Sequence, residues 1–557
     1  MPENLSASAG LTASARATGL ILWIERRPGT AFGVFLAVHF AVWTVLPALI
    51  YANLPLDLIE ALVYGREWQL GYDKLPPLPW WLIEVAHRAF DADIAYYAIA
   101  QIVVLVAFAL VFAMARPLVG AVGALVAIFI VDGLHYFQYT AVKFNHDVIQ
   151  LPLWALAGYA FHAALRRTGL GSWCLLGIAI GGALWAKYFV VVLAVPYALF
   201  MLLDRQARRA FATPGPWLAL CLALAVAAPH IVWLFQSDFL PFAYASHRAG
   251  PVRGWFDHVL HPVVFFGSQV FFLLPSFFIA AAMFWPFQIR LPLAGRGKGW
   301  GSKDLVKASK PASLPFDPPP HPPPTSLYSG ARERGPGGGR EFSLDPFDRR
   351  IITLLAFGPA LTMIAFAAVT GRGAVAMWGY PLWLFLGLWL VMAARVRLDT
   401  ARLTRIIGAW AIVFTIFVVA FIGNYLVLPR LDHRYRAVLF PGDKLGAMLT
   451  TRFHEATGGT RLRYVIGSMW DGGNLAHYSS DQPEVLIDGL PARAPWIDVD
   501  DLRNKGAILV WTQSDPTQVP ASFAAIAPGT ELGAPFDLPM RRGDGTVHVG
   551  WAILKPR

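Results

Sequence analysis

The sequence predicts an α-helical membrane protein with many spans and a small C-terminal α/β domain outside the membrane. Of its 557 residues, 56% are hydrophobic, and the mean hydropathy is +0.50. Both values are typical of multispanning membrane proteins and exclude an ordinary soluble enzyme. A helix needs about 20 apolar residues to cross a hydrocarbon core of ~30 Å, and about eleven segments of this chain approach that length.

The predicted spans follow a tail of small and polar residues, 1–29, in which no short apolar region ends in a cleavage site. We therefore expect a cytoplasmic N-terminal tail that leads into an uncleaved signal anchor. In chain order, the spans are predicted at 30–50, 94–115, 118–134, 147–165, 172–186, 188–203, 216–235, 262–286, 351–370, 374–394 and 405–428. The fifth and sixth are short and meet around Lys187, so they could also form one broken hairpin.

Basic residues set the predicted topology. The net charge of +11 could suggest a nucleic-acid partner, but Lys and Arg gather in alternate short loops, as the positive-inside rule requires of cytoplasmic loops. The residues that carry this pattern are Arg116, Arg166, Arg167, Arg205, Arg208, Arg209, Arg395, Arg397, Arg402 and Arg405. We predict a membrane protein with a cytoplasmic N terminus, a C-terminal domain on the outer side of the membrane and no nucleic-acid partner.

Two loops are too long to be simple turns. The first, 51–93, lies outside, and its amphipathic stretches 57–70 and 78–90 predict two interfacial helices separated by a Pro-Pro pair. The second, 287–350, is cytoplasmic and so rich in proline and glycine that we expect disorder. A partner domain could bind its polyproline runs, although a plain linker is the simpler interpretation.

The C-terminal region, 429–557, predicts a small α/β domain. Apolar runs predict strands at Tyr464–Gly467, Val485–Ile487 and Ala507–Trp511, and a Gly-Asp-Gly turn nearer the C terminus predicts a hairpin. The region contains no Gly-rich phosphate loop and no metal-ligand spacing. Its role is open, and covering the site or recognising an acceptor are the two hypotheses.

The first outer loop concentrates carboxylates in a chain with only 15% charged residues. Asp57 and Glu60 are three residues apart and would share a helix face, where a carboxylate can act as general base toward an incoming hydroxyl or amine. Lys74 could balance a phosphate, and the adjacent Asp73 could position an acceptor or help to ligate a metal. The alternatives are a solvated interfacial helix for the first pair and a local ion pair for the second.

Several polar residues open the fourth predicted span. Lys143 could bind a phosphate, and Asp147 could serve as a second catalytic carboxylate. Asn145 and His146, between them, could bind substrate. The alternative is helix capping, with Asn145 or His146 at the N-cap and Asp147 in the first turn, and both interpretations can hold together.

Four further residues are candidate ligands for the donor phosphate or the substrate. Lys187, at the break between two short spans, could bind a lipid phosphate or extend to the membrane interface. Arg372 could clamp a phosphate through bidentate contacts or act as an interfacial anchor. His247 and Arg248, in the outer segment 236–261, could bind phosphate, metal or substrate, or remain solvated.

The order of these features resembles a known architecture. The chain has one span, a long outer loop with an early carboxylate, and the sequence G-Y-D-K-L-P-P-L-P-W-W. An acidic residue then opens the fourth span, and a K-Y break separates two short spans. Over roughly 30–430, this is similar to GT-C fold glycosyltransferases. The group concerned holds the protein O-mannosyltransferases (glycosyltransferase family 39) and the aminoarabinose–lipid A transferases.

The resemblance carries roles to particular residues. It implies that Asp57 is the catalytic carboxylate of the first loop and that Asp147 is the second acidic site. Asp73 and Lys74 correspond to an acidic–lysine element before the Pro-Pro pair, here with one residue inserted. Asp57 and Glu60 are separated, whereas the protein mannosyltransferases have adjacent acidic residues, which favours the bacterial lipid- or glycan-modifying branch.

The resemblance implies transfer of a sugar from a polyprenyl-phosphate donor at the outer face of the inner membrane. The expected reaction is an inverting single displacement, in which Asp57 takes the acceptor proton while cations stabilise the departing lipid phosphate. The expected acceptor is lipid A or core, another envelope glycan, or a protein. No cofactor is required, and a divalent metal is compatible with the sequence. A multispanning transporter or lipid flippase is the alternative, but it would need charges midway through several spans.

Overall fold

The computed structural model describes residues 19–167, 169–249, 251–284 and 345–557, without the side chains of 247–249. The predicted cytoplasmic tail up to residue 18 and the predicted disordered loop up to residue 344 lie outside the described residues. The helix that follows this loop begins at Pro346, a few residues before the predicted span.

The described part of the chain confirms a multi-pass helical membrane protein with a small C-terminal sheet. Its long or apolar helices are Pro28–Ile50, Asp93–Asp132, His146–Arg166, Gly171–Ala186, Val190–Leu203, Gly215–Gln236, Asp257–Ala281, Pro346–Thr370, Leu386–Ala394 and Thr400–Ile422. Within the described residues, 7 helices are long and apolar enough to cross a bilayer, or 8 if one bent pair is a single span.

The about eleven predicted segments are largely helical in the described part of the chain, although fewer separate helices are long enough to cross a bilayer singly. Asp93–Asp132 contains two predicted spans, and the helix kinks at Gly120, near the start of the second, where φ is 76°. Such a positive φ suits glycine because it has no Cβ. Gly171–Ala186 and Val190–Leu203 are too short for the span criterion, and Ala376–Trp383 meets Leu386–Ala394 at a bend of 54°.

Gly177 and Gly181 allow helix Gly171–Ala186 to pack closely against helix Gly215–Gln236. A Cβ added to Gly177 would lie 2.4 Å from the Ala219 carbonyl oxygen, and one added to Gly181 would lie 2.7 Å from that of Ala223. This spacing of small residues lets helix backbones approach in lipid, where dispersion contacts hold helices together. The packed helix Gly171–Ala186 ends directly before Lys187, so this contact fixes where that lysine emerges.

A polar cluster joins three membrane helices in the interior. His39 Nδ1 lies 3.2 Å from Asp132 Oδ1, and Trp410 Nε1 donates to Asp132 Oδ2 at 2.7 Å. His39 Nε2 also lies 3.1 Å from the carbonyl oxygen of Phe137. Buried polar groups in a membrane are costly unless they are paired, so this cluster fixes the relative positions of the three helices.

The first outer loop forms two helices, Leu56–Gly65 and Leu78–Phe90. The second has the predicted bounds, but the first ends at Gly65 rather than at residue 70. A Cβ at Gly65 would lie 2.4 Å from the Trp80 carbonyl oxygen, so the glycine permits the two helices to touch and the chain to turn. The rings of Tyr64 and Trp80 pack at 4.4 Å between centroids in the same contact.

The C-terminal region contains the predicted strands. They are β1 Tyr464–Gly467, β2 Glu484–Ile487, β3 Ala507–Trp511, β4 Glu531–Leu532, β5 Phe536–Pro539 and β6 Thr546–Leu554. Its helices are Gly442–Thr457, Asp471–Tyr478, Val499–Lys505 and Ala521–Ile526. The sheet order is β2-β1-β3-β6-β4, with the first three strands parallel and β6 antiparallel to β3 and β4. The predicted hairpin is confirmed, because β5 and β6 pair antiparallel.

The C-terminal region packs directly on the first outer loop. Asn53 Nδ2 donates to Asn474 Oδ1 at 2.9 Å, and Arg66 donates to the carbonyl oxygen of Pro483 at 3.0 Å. A Cβ at Gly473 would lie 2.6 Å from Ile59 Cγ2. The W-D-G-G-N sequence at residues 470–474 is therefore a packing element, because it lets helix Asp471–Tyr478 lie against helix Leu56–Gly65.

We expect Gly181→Leu to lower the Tm of the purified protein by several degrees. The new side chain would meet the backbone of the facing helix, and overpacking of this kind costs roughly 1–3 kcal/mol. Gly408→Leu is the matched control, because nothing lies within 4 Å of a Cβ at Gly408. Equal Tm values for the two variants in detergent would contradict the close packing.

Candidate active site

Helix Leu56–Gly65 supplies one wall of the candidate site. Its 3.6-residue repeat places Asp57, Glu60 and Tyr64 on one face, within two turns. Asp57 lies in the first turn, where the helix dipole stabilises a carboxylate. The predicted sharing of one face by Asp57 and Glu60 is therefore present in the structure.

Asn145 connects this wall to the fourth predicted span. Its Nδ2 donates to Asp57 Oδ2 at 3.0 Å, while its Oδ1 accepts from the backbone N–H groups of Asp147 and Val148. Asn145 is thus the N-cap that one of the sequence interpretations anticipated, and it also orients Asp57. Phe144, directly before it, has φ of 30°, a strained value for a residue with a side chain.

Asp147 and Lys187 form an ion pair between two membrane helices. Lys187 Nζ lies 2.5 Å from Asp147 Oδ1, and both side chains are only 11% exposed. Gln150 Nε2 donates to the same oxygen at 3.1 Å. Lys187 also lies over the ring of Trp378, at 5.5 Å from its centroid. The pairing brings two predicted site residues together, one as the counter-charge of the other.

Lys74 pairs with Glu60 across the same wall. Its Nζ lies 2.5 Å from Glu60 Oε2, and it lies 5.4 Å from the ring centroid of Tyr244. Burial is the largest single influence and lowers the proton affinity of this amine, but Glu60, Tyr244 and Asp57 together outweigh it, so the pKa of Lys74 lies above its ordinary value. Lys74 is therefore a fixed cation at the edge of the site.

Asp73 is held by two partners. Its Oδ1 accepts from the Tyr64 hydroxyl at 2.6 Å, and its Oδ2 accepts from Arg493 Nε at 2.7 Å. Arg493 belongs to the C-terminal region and also pairs with Asp488 there. The local ion pair between Asp73 and Lys74 that the sequence left open is therefore not formed, because Asp73 pairs with Arg493 and Lys74 with Glu60.

Lys143 lies near Asp57 without a counter-ion. Among the described residues, no carboxylate forms a salt bridge with Lys143, and its side chain is partly exposed. Its charge acts on Asp57 and on His135. Burial, followed by the charge of Lys143, lowers the pKa of His135 to about 4, so that imidazole is neutral near pH 7.

The carboxylates of this wall have raised proton affinities. Burial raises the pKa of Asp57 above its ordinary value, opposed by the Asn145 hydrogen bond and the charges of Lys74 and Lys143. Burial likewise raises the pKa of Glu60, opposed mainly by Lys74. A carboxylate with a raised pKa binds a proton more readily, which suits a general base.

The remaining predicted residues have other surroundings. His146 Nε2 lies 3.0 Å from the Pro76 carbonyl oxygen, so this histidine fixes the Pro-Pro turn. Arg372 Nη1 donates to the Ser246 carbonyl oxygen at 3.4 Å, at the helix Leu240–Ala249. His247 and Arg248 lie on that helix, and their side chains are outside the described part.

Three contributing residues were missed by the sequence analysis. Tyr64 and Gln150 follow Glu60 and Asp147 by one helical turn, so helix periodicity could have identified them. Arg493 is 420 positions from Asp73, and no local pattern connects the two. Among the described residues, no group of three or more His, Cys, Asp or Glu side chains is placed to hold a metal ion.

The geometry therefore concentrates three lysines around an oriented carboxylate, Asp57, at one end of the membrane helices. Asp57 faces Asn145, and the amines of Lys74, Lys143 and Lys187 lie on the surrounding elements. Such a site can accept a proton from a hydroxyl and stabilise a developing phosphate charge.

Comparisons with known proteins agree with this arrangement. A family model described as dolichyl-phosphate-mannose-protein mannosyltransferase matches residues 74–233, a range that holds the three lysines but begins after Asp57. Two relatives come from Rhizobium johnstonii. The lipopolysaccharide core galacturonosyltransferase RgtA is 28% identical over 231 residues, 40% of this chain and 46% of the relative. The lipid A galacturonosyltransferase RgtD is 25% identical over 211 residues, 37% and 44% respectively.

The chain thus spans less than half the length of these curated relatives. Among solved structures, ArnT from Cupriavidus metallidurans bound to undecaprenyl phosphate matches with a TM-score of 0.55 and 12% identity, covering 94% of this chain and 98% of that chain. The apo state of the same protein matches with a TM-score of 0.55 and 14% identity. These similarities confirm the predicted GT-C fold. They also confirm the resemblance to the group that holds the protein O-mannosyltransferases and the aminoarabinose–lipid A transferases.

We expect Lys187→Met to destabilise the protein by roughly 3–5 kcal/mol, because it leaves a buried carboxylate uncompensated at Asp147. Adding Asp147→Asn should recover part of the lost Tm. The control is Lys555→Met. The side chains of Lys555 and its partner Glu531 are both exposed, so their ion pair contributes at most about 1 kcal/mol to stability. A double variant no more stable than Lys187→Met alone would argue against the pairing.

Proposed function

We propose that this protein is a membrane glycosyltransferase that moves a sugar from a polyprenyl-phosphate donor to a lipid A, core or other cell-envelope acceptor. The observation that carries the proposal is Asp57, a carboxylate of raised pKa that Asn145 orients among lysines at the outer ends of the membrane helices. The named activities of the relatives and the lipid bound to ArnT give independent support.

The reaction is a single displacement at the anomeric carbon. The acceptor hydroxyl oxygen forms the new bond to that carbon, its proton passes to Asp57, and the bond from the carbon to the phosphate oxygen breaks. The lipid phosphate leaves with the bonding electrons. Because the nucleophile enters opposite the leaving group and no sugar–enzyme bond forms, the anomeric configuration inverts.

Lysines stabilise the leaving phosphate in this scheme. Lys143 is the most available of them, since it has no salt-bridge partner among the described residues and lies near Asp57. Lys74 and Lys187 are each paired with a carboxylate, so they supply a fixed field and a hydrogen-bonding edge. A preorganised positive field at the leaving group lowers the barrier most when water is excluded.

The positive-inside pattern supports a position for this site on the periplasmic side of the inner membrane. The first loop and the C-terminal region, which pack on each other, then face the periplasm. A donor with a polyprenyl tail and a glycolipid acceptor would both approach from the outer leaflet. The relatives named as galacturonosyltransferases favour a hexuronate as the transferred sugar.

We expect Asp57→Asn to lower turnover by ~10²–10⁴-fold, because the acceptor proton loses its base. The measurement is mass spectrometry of envelope glycolipids from cells that lack the protein and are complemented with each variant. Wild type should restore a sugar-sized mass increment, and the increment identifies hexose, pentose or uronate. Asp91→Asn, an exposed carboxylate of the same loop, should restore it fully. Equal rescue by Asp57→Asn would remove this residue from the mechanism.

We also expect the acid limb of kcat/KM to lie above the ordinary Asp value of about 3.9, because burial raises the pKa of Asp57 and only the ionised base is active. Asn145→Ser should move that limb to still higher pH, since it removes a hydrogen bond that favours the charged form. Serine remains a good N-cap, so the helix is retained. An unchanged limb in the variant would contradict the assignment of Asp57 as base.

A further inference from the structure

Among the described residues, Arg493 is the one residue of the C-terminal region that pairs with a carboxylate next to the proposed phosphate site. It donates from Nε to Asp73 Oδ2 at 2.7 Å, and Nη1 pairs with Asp488 of its own region. Its side chain is 28% exposed, and that of Asp73 is 11% exposed. The guanidinium therefore bridges two regions of the protein in a partly buried setting.

Both oxygens of Asp73 are occupied. Tyr64 fills Oδ1 at 2.6 Å and Arg493 fills Oδ2. Burial and the Asp73 and Glu60 carboxylates raise the pKa of Tyr64 well above its ordinary value, so this hydroxyl stays a donor. A carboxylate with two fixed donors is a structural anchor, and the role of Asp73 as a substrate or metal ligand loses its geometric support.

The anchor is one residue from Lys74. Tyr64 holds Asp73, and Glu60, one turn earlier on the same helix, holds Lys74 at 2.5 Å. The segment before the Pro-Pro pair is thus fastened to helix Leu56–Gly65 at two successive points. A shift of Asp73 would move the amine of the next residue, since adjacent Cα atoms are only about 3.8 Å apart.

Aromatic packing keeps the arginine in place. Trp496 follows Arg493 on the same loop, and its ring lies edge-on to Tyr64 and Tyr72, with centroids 6.1 and 5.8 Å apart. This contact seats the loop after β2 against the first outer loop. The arginine is therefore presented from a rigid surface.

The charges of this group balance. Glu60 and Asp73 carry two negative charges, and Lys74 and Arg493 carry two positive ones. Asp73 acts on Glu60, whose pKa it raises, so the members of the group influence one another. Asp488, the other partner of Arg493, is 39% exposed and screened by water. Without Arg493 the group would have a net negative charge beside the place where a phosphate anion is to bind.

We propose that Arg493 is a positioning residue of the donor-phosphate site: it neutralises and anchors Asp73, which leaves the charge of Lys74 available to the phosphate of a polyprenyl-phosphate donor. The inference rests on the proposed function and deepens it. It also gives the C-terminal region a role, because the membrane part alone would leave Asp73 uncompensated.

The test is equilibrium binding of radiolabelled undecaprenyl phosphate to the full-length protein in lipid nanodiscs. We expect Arg493→Gln to weaken binding roughly tenfold through the net negative charge it creates. The double variant Asp73→Asn/Arg493→Gln should bind within a few-fold of wild type, because it removes that charge. Arg542→Gln is the matched control, since Arg542 also contacts the membrane part, through the Ile50 carbonyl oxygen, but touches no carboxylate of this group.

A merely structural arginine would give a different pattern. In that case the double variant would bind as weakly as Arg493→Gln or worse, and this result would overturn the proposal. Unchanged binding by Arg493→Gln would overturn it as well. Arg493→Lys should recover part of the affinity, because it restores the charge without the planar fork.

A readout without a ligand separates this inference from the proposed function. An amine-directed reagent labels the neutral form of Lys74, and mass spectrometry measures its rate. We expect slower labelling in Arg493→Gln, because the excess negative charge keeps Lys74 protonated, and recovery in the double variant. If the wild type failed to bind undecaprenyl phosphate but this labelling pattern held, the donor assignment would be wrong and the coupling of Arg493 to Lys74 would stand. Equal labelling in all variants would overturn the coupling.

Discussion

The structure depends on the pairing of charges at one end of its apolar helices. Carboxylates and amines lose hydration there, and an unpaired one would be costly. The chain meets this constraint with pairs that cross between elements: Asp147 with Lys187, Glu60 with Lys74, and Asp73 with Arg493. The paired residues are 40, 14 and 420 positions apart respectively and lie on different elements, so the charges that build the site also fix the positions of the helices around it. Among the described residues, Lys143 has no such carboxylate partner, so its ammonium group stays unpaired.

Helix Leu56–Gly65 connects the two regions because both of its faces are used. Asp57, Glu60 and Tyr64 face the charges, while Ile59 meets Gly473 of the C-terminal helix Asp471–Tyr478. The glycine is needed at that point because any Cβ would collide with Ile59. A displacement of the C-terminal region would therefore also move this helix and the charged face that it carries. Through this contact, the C-terminal region, which has no phosphate loop of its own, can still affect the position of the site residues.

Sequence patterns predicted much of this architecture because they are local. Apolar segments, the Pro-Pro turn, the hairpin and the shared face of Asp57 and Glu60 all follow from periodicity within a few residues. The division of these segments into separate helices was not predictable in the same way, since hydropathy shows neither that two predicted spans join in Asp93–Asp132 with a kink at Gly120 nor that two apolar helices are short. Asp73 could be identified as charged, but its partner Arg493 is 420 positions away and invisible to any local rule. The sequence thus identified the charged residues of the membrane site, but it did not show that one of them pairs with the C-terminal region.

Asn145 shows how a structural device and a chemical one can be the same residue. An N-cap side chain needs one oxygen for the first backbone N–H groups of its helix, and an asparagine that uses its oxygen in this way still has its amide hydrogens free. Here those hydrogens reach Asp57. The cap is held by the helix it begins, so Asp57 is oriented by the start of a membrane span and not by a mobile loop. Phe144, strained at φ of 30° and buried, shows that the chain accepts an unfavourable backbone to present this cap. Strain of roughly 1–3 kcal/mol at such a residue persists only where the surrounding packing over-determines it, and here it orients the side chain that joins the start of this helix to Asp57.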